Sequence, residues 1–453
     1  MFRLYLAKFV KAKATTGLPY AGLILYYAML YLMMFRWLRP ARYVGALLQR
    51  LFGANYSVNS ALALVYRQMW NFKDECKTLM DIVPANRHDI DLLHRAGETA
   101  AFAGDVDSLE RLRDIAAQES PSFLSYLNGL LAYLNGQANY QAHFQESVKS
   151  FFSLEGIGSS DASGKSMSIL MKSVIKSGRH IPEFVRMAYN IRELASIDEL
   201  LMADCPSRTL SSLPSDLDGT PVSGLGLTDP IVLISCSDGY LKVFADYYIR
   251  IFRRKNQNII HFHVLAEDVE VTRDYLVALK KKHSNIRYSL EAISGRPQTY
   301  ITLARFLICR DLMKHYNRDV LISDLDFHPD FALSLIGREL RSQGFDFGLC
   351  DTGYSVPWAK FAVGFSYFRV ANHATDVYLG LLSRHLVSLY SDGGFFSMDQ
   401  TGALLIYEYM QARGHDFRMR NLYTVIDFKK LCSTPKQLAR GKIKCKFGNG
   451  GPQ

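Results

Sequence analysis

The chain has 453 residues, 49% hydrophobic and 21% charged, a globular composition that excludes a mostly disordered or collagen-like polymer and gives length for two or three domains. Its 53 Lys and Arg against 43 Asp and Glu leave a net charge of +10, which admits nucleic acid, anionic lipid or phosphorylated substrates and selects none of them. Seven cysteines without any C-x-x-C pair argue against a disulfide framework or a structural zinc site, and favour a reducing compartment.

Residues 18–35 form an uncharged, largely apolar run of 18, with Arg3, Lys8, Lys11 and Lys13 before it and Arg36, Arg39 and Arg42 after it. A spanning helix needs about 20 such residues. Three readings stay open: a helix packed in a core, a helix lying on a membrane, and a true span. Cationic residues on both sides suit an anionic surface and leave orientation unreadable.

Residues from about 55 to 200 read as a string of helices. Leu92, Leu93, Ala96, Ala100 and Ala103 recur at helical spacing up to a break at Gly104-Asp105. A second helix carries Leu109, Leu112, Ile115 and Ala116 and ends before Pro121. Leu127, Leu130, Leu131 and Leu134 follow, then a break at Asn135-Gly136, then Tyr140 and Phe144. The glycine breaks are 32 residues apart and an earlier one at Asn71 fits the same period, so the region reads as a tetratricopeptide-like array of helical hairpins, or as an irregular helical bundle. Either surface suits a protein partner. The stretch 158–166 (GSSDASGKS) imitates a phosphate-binding loop but has one residue too many and no preceding strand, so a flexible loop is the better reading. The Pro-, Ser- and Gly-rich stretch 205–228 reads as a linker.

From Asp229 the pattern changes. Residues 231–235 are a continuous apolar strand, followed by a polar break at Ser237-Asp238-Gly239 and a helix carrying Val243, Phe244, Tyr247, Tyr248 and Ile251. Strands at 259–265 and 286–290 flank a helix at 272–282, the alternation of a mostly parallel α/β sheet. Ligands of such sheets bind beyond the strands' carboxyl ends, which directs attention to Asp238–Tyr240 and to the segment after 320–322. There Ser323-Asp324-Leu325-Asp326 places two carboxylates one residue apart. If strand geometry persists they face one side and suit a hard divalent ion, Mn²⁺ or Mg²⁺; a solvated turn is the alternative.

On these residues the stretch from Ile231 to about Gly451 resembles nucleotide-sugar glycosyltransferases of the GT-A fold, a Rossmann-like mixed α/β sheet, and is most similar to the retaining glycosyltransferase family eight (the glycogenin and lipopolysaccharide galactosyltransferase group). Four features stand in that family's order: Ser237-Asp238-Gly239-Tyr240, Tyr300 to Phe306 with Arg305, Asp324-Leu325-Asp326, and Asp399-Gln400 opening a helix after Gly393-Gly394. The resemblance implies that Asp238 and Tyr240 hold the ribose and base of a donor, expected to be a uridine-diphosphate sugar. It implies that Asp324 and Asp326 bind the metal, that Arg305 approaches the diphosphate or forms an ion pair with them, and that Asp399 and Gln400 bind sugar hydroxyls. Two departures stand out. Ala362-Val363-Gly364 replaces an Asn-x-Gly, and Lys446, ahead of Gly448, stands where a metal-binding histidine belongs. A protonated lysine cannot ligate a metal but suits diphosphate; a solvated basic tail is the alternative. His328 is a further candidate ligand.

The expected organisation is an amino-terminal hydrophobic and basic segment (1–52), a helical-hairpin domain (53–204), a linker (205–228) and a GT-A-like domain (229–453). The expected activity is metal-assisted sugar transfer, with retention, to a glycan or lipid-linked acceptor, in the cytoplasm or at the inner face of a membrane. A catalytically silent domain of the same kind, working as a protein-binding module, is the alternative. No zinc-finger or RNA-recognition motif supports nucleic acid as a partner.

Overall fold

The chain divides into two units, Met1–Glu155 and Gly156–Gln453. The computed structural model describes residues 16–34, 37–69, 71–119, 121–155, 215–216, 229–292, 297–325, 327, 331–353, 360–390 and 398–426.

The first unit is helical throughout its described residues. Its helices are α1 (Tyr20–Met34), α2 (Leu38–Phe52), α3 (Tyr56–Gln68), α4 (Phe72–Met80), α5 (Ile90–Ala103), α6 (Val106–Glu119), α7 (Pro121–Leu134) and α8 (Tyr140–Glu155). Their starts follow from side-chain chemistry. Asn55, Asn71 and Asp89 each accept a hydrogen bond from a first-turn backbone N–H, at Val58, Asp74 and Leu92. The expected breaks are seen: Gly104 and Gly136 sit at φ 64° and 66°, where a Cβ is costly, and follow α5 and α7. Consecutive helices pack on one another, and α5 also touches α7.

The apolar run 18–35 becomes α1, which buries Leu23 and Met29 in a core with Ala41 and Leu48 of α2 and Val58, Leu62 and Val65 of α3. This core crosses the expected boundary at residue 52. No described helix is long and apolar enough to cross a membrane. Glu75 of α4 is fully buried and accepts from Arg67 at 2.9 and 3.1 Å and from Arg95 at 3.2 Å. Burial raises its pKa against the pull of both arginines.

The second unit is a mixed sheet. Its strands are β1 (Ser215–Asp216), β2 (Ile231–Ser237), β3 (Ile260–Ala266), β4 (Ile286–Ala292), β5 (Val320–Ser323), β6 (Phe347–Leu349), β7 (Phe365–Phe368) and β8 (Met419–Asn421). The order across the sheet is β1-β4-β3-β2-β5-β7-β6-β8. Strands β4, β3, β2 and β5 are parallel, β7 runs antiparallel to β5 and β6, and β8 is parallel to β6. The helices are α9 (Asp238–Phe252), α10 (Val269–Lys282), α11 (Pro297–Tyr316), α12 (Ser334–Ser342), α13 (His373–Tyr390) and α14 (Met398–Ala412). Val232, Ile234, Ile260, Phe262, Tyr288 and Leu290 share one core with α9, α10 and α12. Helix α11 packs on β2, β3 and β5, with α13 and α14 against it. Continuous burial along β3 and over the first four residues of β2 reflects cover on both faces.

Two expectations are corrected. The polar triplet Ser237-Asp238-Gly239 is no break: α9 begins at Asp238, because the Ser237 hydroxyl accepts from the Tyr240 N–H at 3.3 Å and caps the helix directly off the strand. Strand geometry also stops short of the Asp-x-Asp motif. β5 ends at Ser323, and the Phe327 N–H bonds the Asp324 carbonyl at 3.1 Å, closing a turn. The strand therefore ends before Asp324, and Asp326 lies outside the described residues. The loop 158–166 lies outside the described residues, as does the expected linker apart from Ser215 and Asp216.

Candidate functional site at the carboxyl ends of β2 and β5

The chain lays down β2, β3 and β4 in one direction, then returns to place β5 on the other side of β2. Parallel register pairs Ile231 with Val320 and Leu233 with Ile322. Between these two strands the winding reverses, and a crevice at their carboxyl ends is the expected ligand position of such a sheet. The residues that follow them are Asp238 and Asp324.

Asp324 is held on three sides. Its N–H donates to the Gly364 carbonyl at 2.8 Å. Its Oδ1 accepts from Arg305 Nη1 at 2.6 Å. Its carboxylate lies over Gly364, where an added Cβ would meet Cγ at 2.7 Å and overlap an oxygen. Gly364 thus matters for the space it leaves. Beneath, the buried Tyr248 hydroxyl of α9 lies 3.2 Å from Ser323 Oγ, fixing the end of β5. The Asp324 side chain is 40% exposed.

Arg305 is the hub. Its side chain is 8% exposed, and Nε donates to the Thr302 carbonyl at 2.9 Å. Nη2 donates to Asp399 Oδ2 at 2.9 Å. Asp399 stands in the first turn of α14 with its side chain 4% exposed, so its carboxylate faces Arg305 rather than solvent. Burial works against the guanidinium charge, but Asp324 and Asp399 outweigh it and raise the Arg305 pKa. Burial raises Asp399, opposed by Arg305 and by the Gln400 N–H. Three residues from distant parts of the sequence, 305, 324 and 399, thus meet in one charged group. Of the two open readings of Arg305, the observed contact is the ion pair.

Asp238 and Tyr240 lie at the same end of the sheet, in the first turn of α9. The Asp238 carboxylate accepts from the Gly239 N–H at 2.7 Å and from Lys242 Nζ at 3.3 Å. The Tyr240 ring packs on Phe244, with centroids 4.3 Å apart. Gln400 is half-buried in α14. Asp326, His328, Lys446 and Gly448 lie outside the described residues. Among the described residues no group of three or more His, Cys, Asp or Glu side chains is placed to hold a metal ion. Asp324 offers a hard oxygen donor at an exposed strand end, chemistry that fits Mg²⁺ or Mn²⁺.

A polar layer went unnoticed in the sequence. On the α11 face of the sheet, His261 Nε2 and His263 Nδ1 lie 3.0 and 2.9 Å from Ser289 Oγ. His263 Nε2 is 3.6 Å from the Glu291 carboxylate, which accepts the Tyr300 hydroxyl at 3.0 Å. The signal was two i, i+2 pairs, His-x-His and Ser-x-Glu, on neighbouring strands. Ser289 and both histidines have no exposed surface, so no substrate reaches them. Burial, then the charges of His263, His315 and Arg287, hold His261 well below the usual imidazole range. A separate cavity of about 310 Å³, lined by Arg310, Lys314, His373 and Asp376 among others, lies beyond Phe368, at the opposite end of β5 from Asp324.

No protein-family model matches this chain, and no curated protein matches it.

Proposed function

We propose that the second unit is a GT-A-like glycosyltransferase that takes a sugar from a nucleoside-diphosphate donor with the help of Mn²⁺ or Mg²⁺. The observation that carries this reading is the Arg305 bridge between Asp324, at the carboxyl end of β5, and Asp399, opening α14. Three of the four features on which the family resemblance rests contribute a residue to that bridge. The fourth, Asp238-Gly239-Tyr240, opens α9 at the end of the neighbouring strand.

In this reading Asp324 holds the cation together with Asp326, and the bound ion would offset the negative charge that builds on the departing nucleoside diphosphate. Arg305 fixes the Asp324 rotamer and keeps a permanent positive charge near the leaving group. Asp399, facing Arg305, positions that guanidinium. Asp238 and Tyr240 receive the ribose and base, and the resemblance implies retention at the anomeric carbon. The acceptor is a glycan or a lipid-linked sugar.

The purified full-length protein, given a panel of nucleotide-sugars with and without Mn²⁺, is expected to hydrolyse or transfer one donor in a metal-dependent way. Asp324→Asn should lose that turnover with an unchanged far-UV spectrum; wild-type turnover in this variant overturns the assignment. One observation favours a second reading, a silent domain of the same kind on a protein-binding helical scaffold: an Asp324 oxygen is already engaged by Arg305. Metal-dependent thermal stabilisation by a nucleotide-sugar, without turnover, distinguishes it.

A further inference from the structure

The amino-terminal segment carries a charge as large as that of the whole chain. Residues 1–73 hold ten Lys and Arg and no Asp or Glu, the first acidic residue being Asp74. The rest of the chain holds 43 basic and 43 acidic residues and is neutral overall.

The same segment holds most of the apolar surface. Of the eleven large hydrophobic residues exposed among the described residues, nine lie between positions 24 and 64. On α1 they form one stripe, Ile24, Tyr27 and Tyr31, with Ile24 62% exposed. On α2 a second stripe runs through Tyr43, Leu47 and Leu51, with Trp37 just before the helix. Both helices bury other faces in the α1–α3 core, so these stripes are surface left over after folding. Arg39 and Arg50 are exposed on α2, and the Arg42 guanidinium lies 5.2 Å from the Tyr43 ring centroid.

We infer that α1 and α2 form a docking surface for an anionic lipid bilayer. Clustered exposed apolar residues mark an interaction surface, and the charge selects the partner. A neutral or basic protein face gains nothing from Arg39, Arg42 and Arg50 on this surface, whereas each basic residue beside an anionic leaflet strengthens partition about five-fold. Trp and Tyr sit at the headgroup level by preference, and arginines beside them reach back to phosphates. The mode is lying on the surface: α1 has 15 residues, about 22 Å of helix against a hydrocarbon core of about 30 Å. This inference stands apart from sugar transfer and survives its failure.

Flotation of the full-length protein with vesicles of phosphatidylcholine alone, or with 30 mol% phosphatidylglycerol, tests it. Binding is expected only to the anionic vesicles, falling as salt rises, with a blue shift of Trp37 fluorescence in a Trp70→Phe/Trp358→Phe variant. Leu47→Glu/Leu51→Glu should reduce partition at least ten-fold, and Arg39→Gln/Arg42→Gln/Arg50→Gln on the order of a hundred-fold. These positions are at the surface, so circular dichroism should be unchanged. No binding to anionic vesicles at low salt, or wild-type partition in the Leu47/Leu51 variant, overturns the inference. So does a stable dimer in solution that the Leu47/Leu51 variant converts to monomer, since a second copy would then own this face.

Discussion

Removing Arg305 separates the energetic claims made about the site. In Arg305→Met, Asp324 loses a partner but is 40% exposed, so water takes over most of the interaction and its share is at most about 1 kcal/mol. Asp399, at 4% exposed, has no such recourse. Breaking a buried pair from one side costs about 3–5 kcal/mol. The buried carboxyl has one escape, which is to take up a proton. At pH 7 that costs about 1.4 kcal/mol for each of the roughly three pH units above an unperturbed carboxylate, or about 4 kcal/mol, which caps the loss. The cap sets a pH signature. Protonated Asp399 in the folded variant binds a proton that the unfolded chain releases, so the variant gains stability as pH falls. Between pH 7 and pH 5 its deficit should shrink by up to about 2.7 kcal/mol. Urea unfolding followed by tryptophan fluorescence and circular dichroism, at both pH values, measures this. Arg305→Met/Asp399→Asn should recover most of the loss at pH 7. A deficit below 1 kcal/mol at pH 7, or an equal deficit at the two pH values, would refute the view that Asp399 is a buried charge held by Arg305.

Three further outcomes are expected. Gly364→Ala keeps every charge but pushes the Asp324 carboxylate by about 1 Å, beyond the reach of Arg305; metal-dependent turnover should fall about a hundred-fold, with a change of no more than about 2 kcal/mol in unfolding free energy. His385 of α13 is fully buried, and burial lowers its pKa to about 4. Its folded pKa lies below its unfolded value, so the related stability is complete above about pH 6.5 and is lost as pH falls towards 4; His385→Leu should abolish this acid sensitivity, worth roughly 3 kcal/mol, in thermal melts at pH 7 and 4.5. Asp319, at the other end of β5, is fully buried and accepts from Arg341 at 2.6 Å, the Tyr367 hydroxyl at 2.8 Å and the Val370 N–H at 2.9 Å. Asp319→Asn should cost about 3–5 kcal/mol in urea unfolding while leaving turnover per folded molecule intact.

The sheet was legible where its strands are apolar enough to be covered on both faces: β2, β3, β4 and β5 lie within two residues of their expected bounds. The helical breaks were legible because Gly104 and Gly136 need left-handed backbone. What escaped is what depends on contact across the fold. In the sequence Gly364 only ends a triplet whose Ala362 departs from a family Asn-x-Gly, yet it sits where antiparallel pairing of β5 with β7 brings it under Asp324, 40 positions away in sequence. Arg305 was visible as a candidate, but no spacing rule says that residues 324 and 399 share it. Ser237-Asp238-Gly239 was misread because a polar triplet after a strand has one composition for two structures, an open turn or a cap with its first helical residues, and only the Ser237–Tyr240 bond decides. The His261–Ser289–His263 layer was hidden by its strand, whose other face is wholly apolar.

A structural role alone is a poor account of the Arg305 group. Buried ion pairs are weak stabilisers, and apolar replacements of the same volume often match or exceed them. A chain selected only for stability gains little from one arginine shared between two carboxylates, and less from leaving one of them 40% in water. Asp324 is the member that faces solvent. That member stands at the point where the strand order reverses, over a glycine that leaves it room. Burial on the Asp399 side and exposure on the Asp324 side then have a common sense: Asp399 anchors the arginine from within, and the arginine holds Asp324 still for whatever arrives from outside.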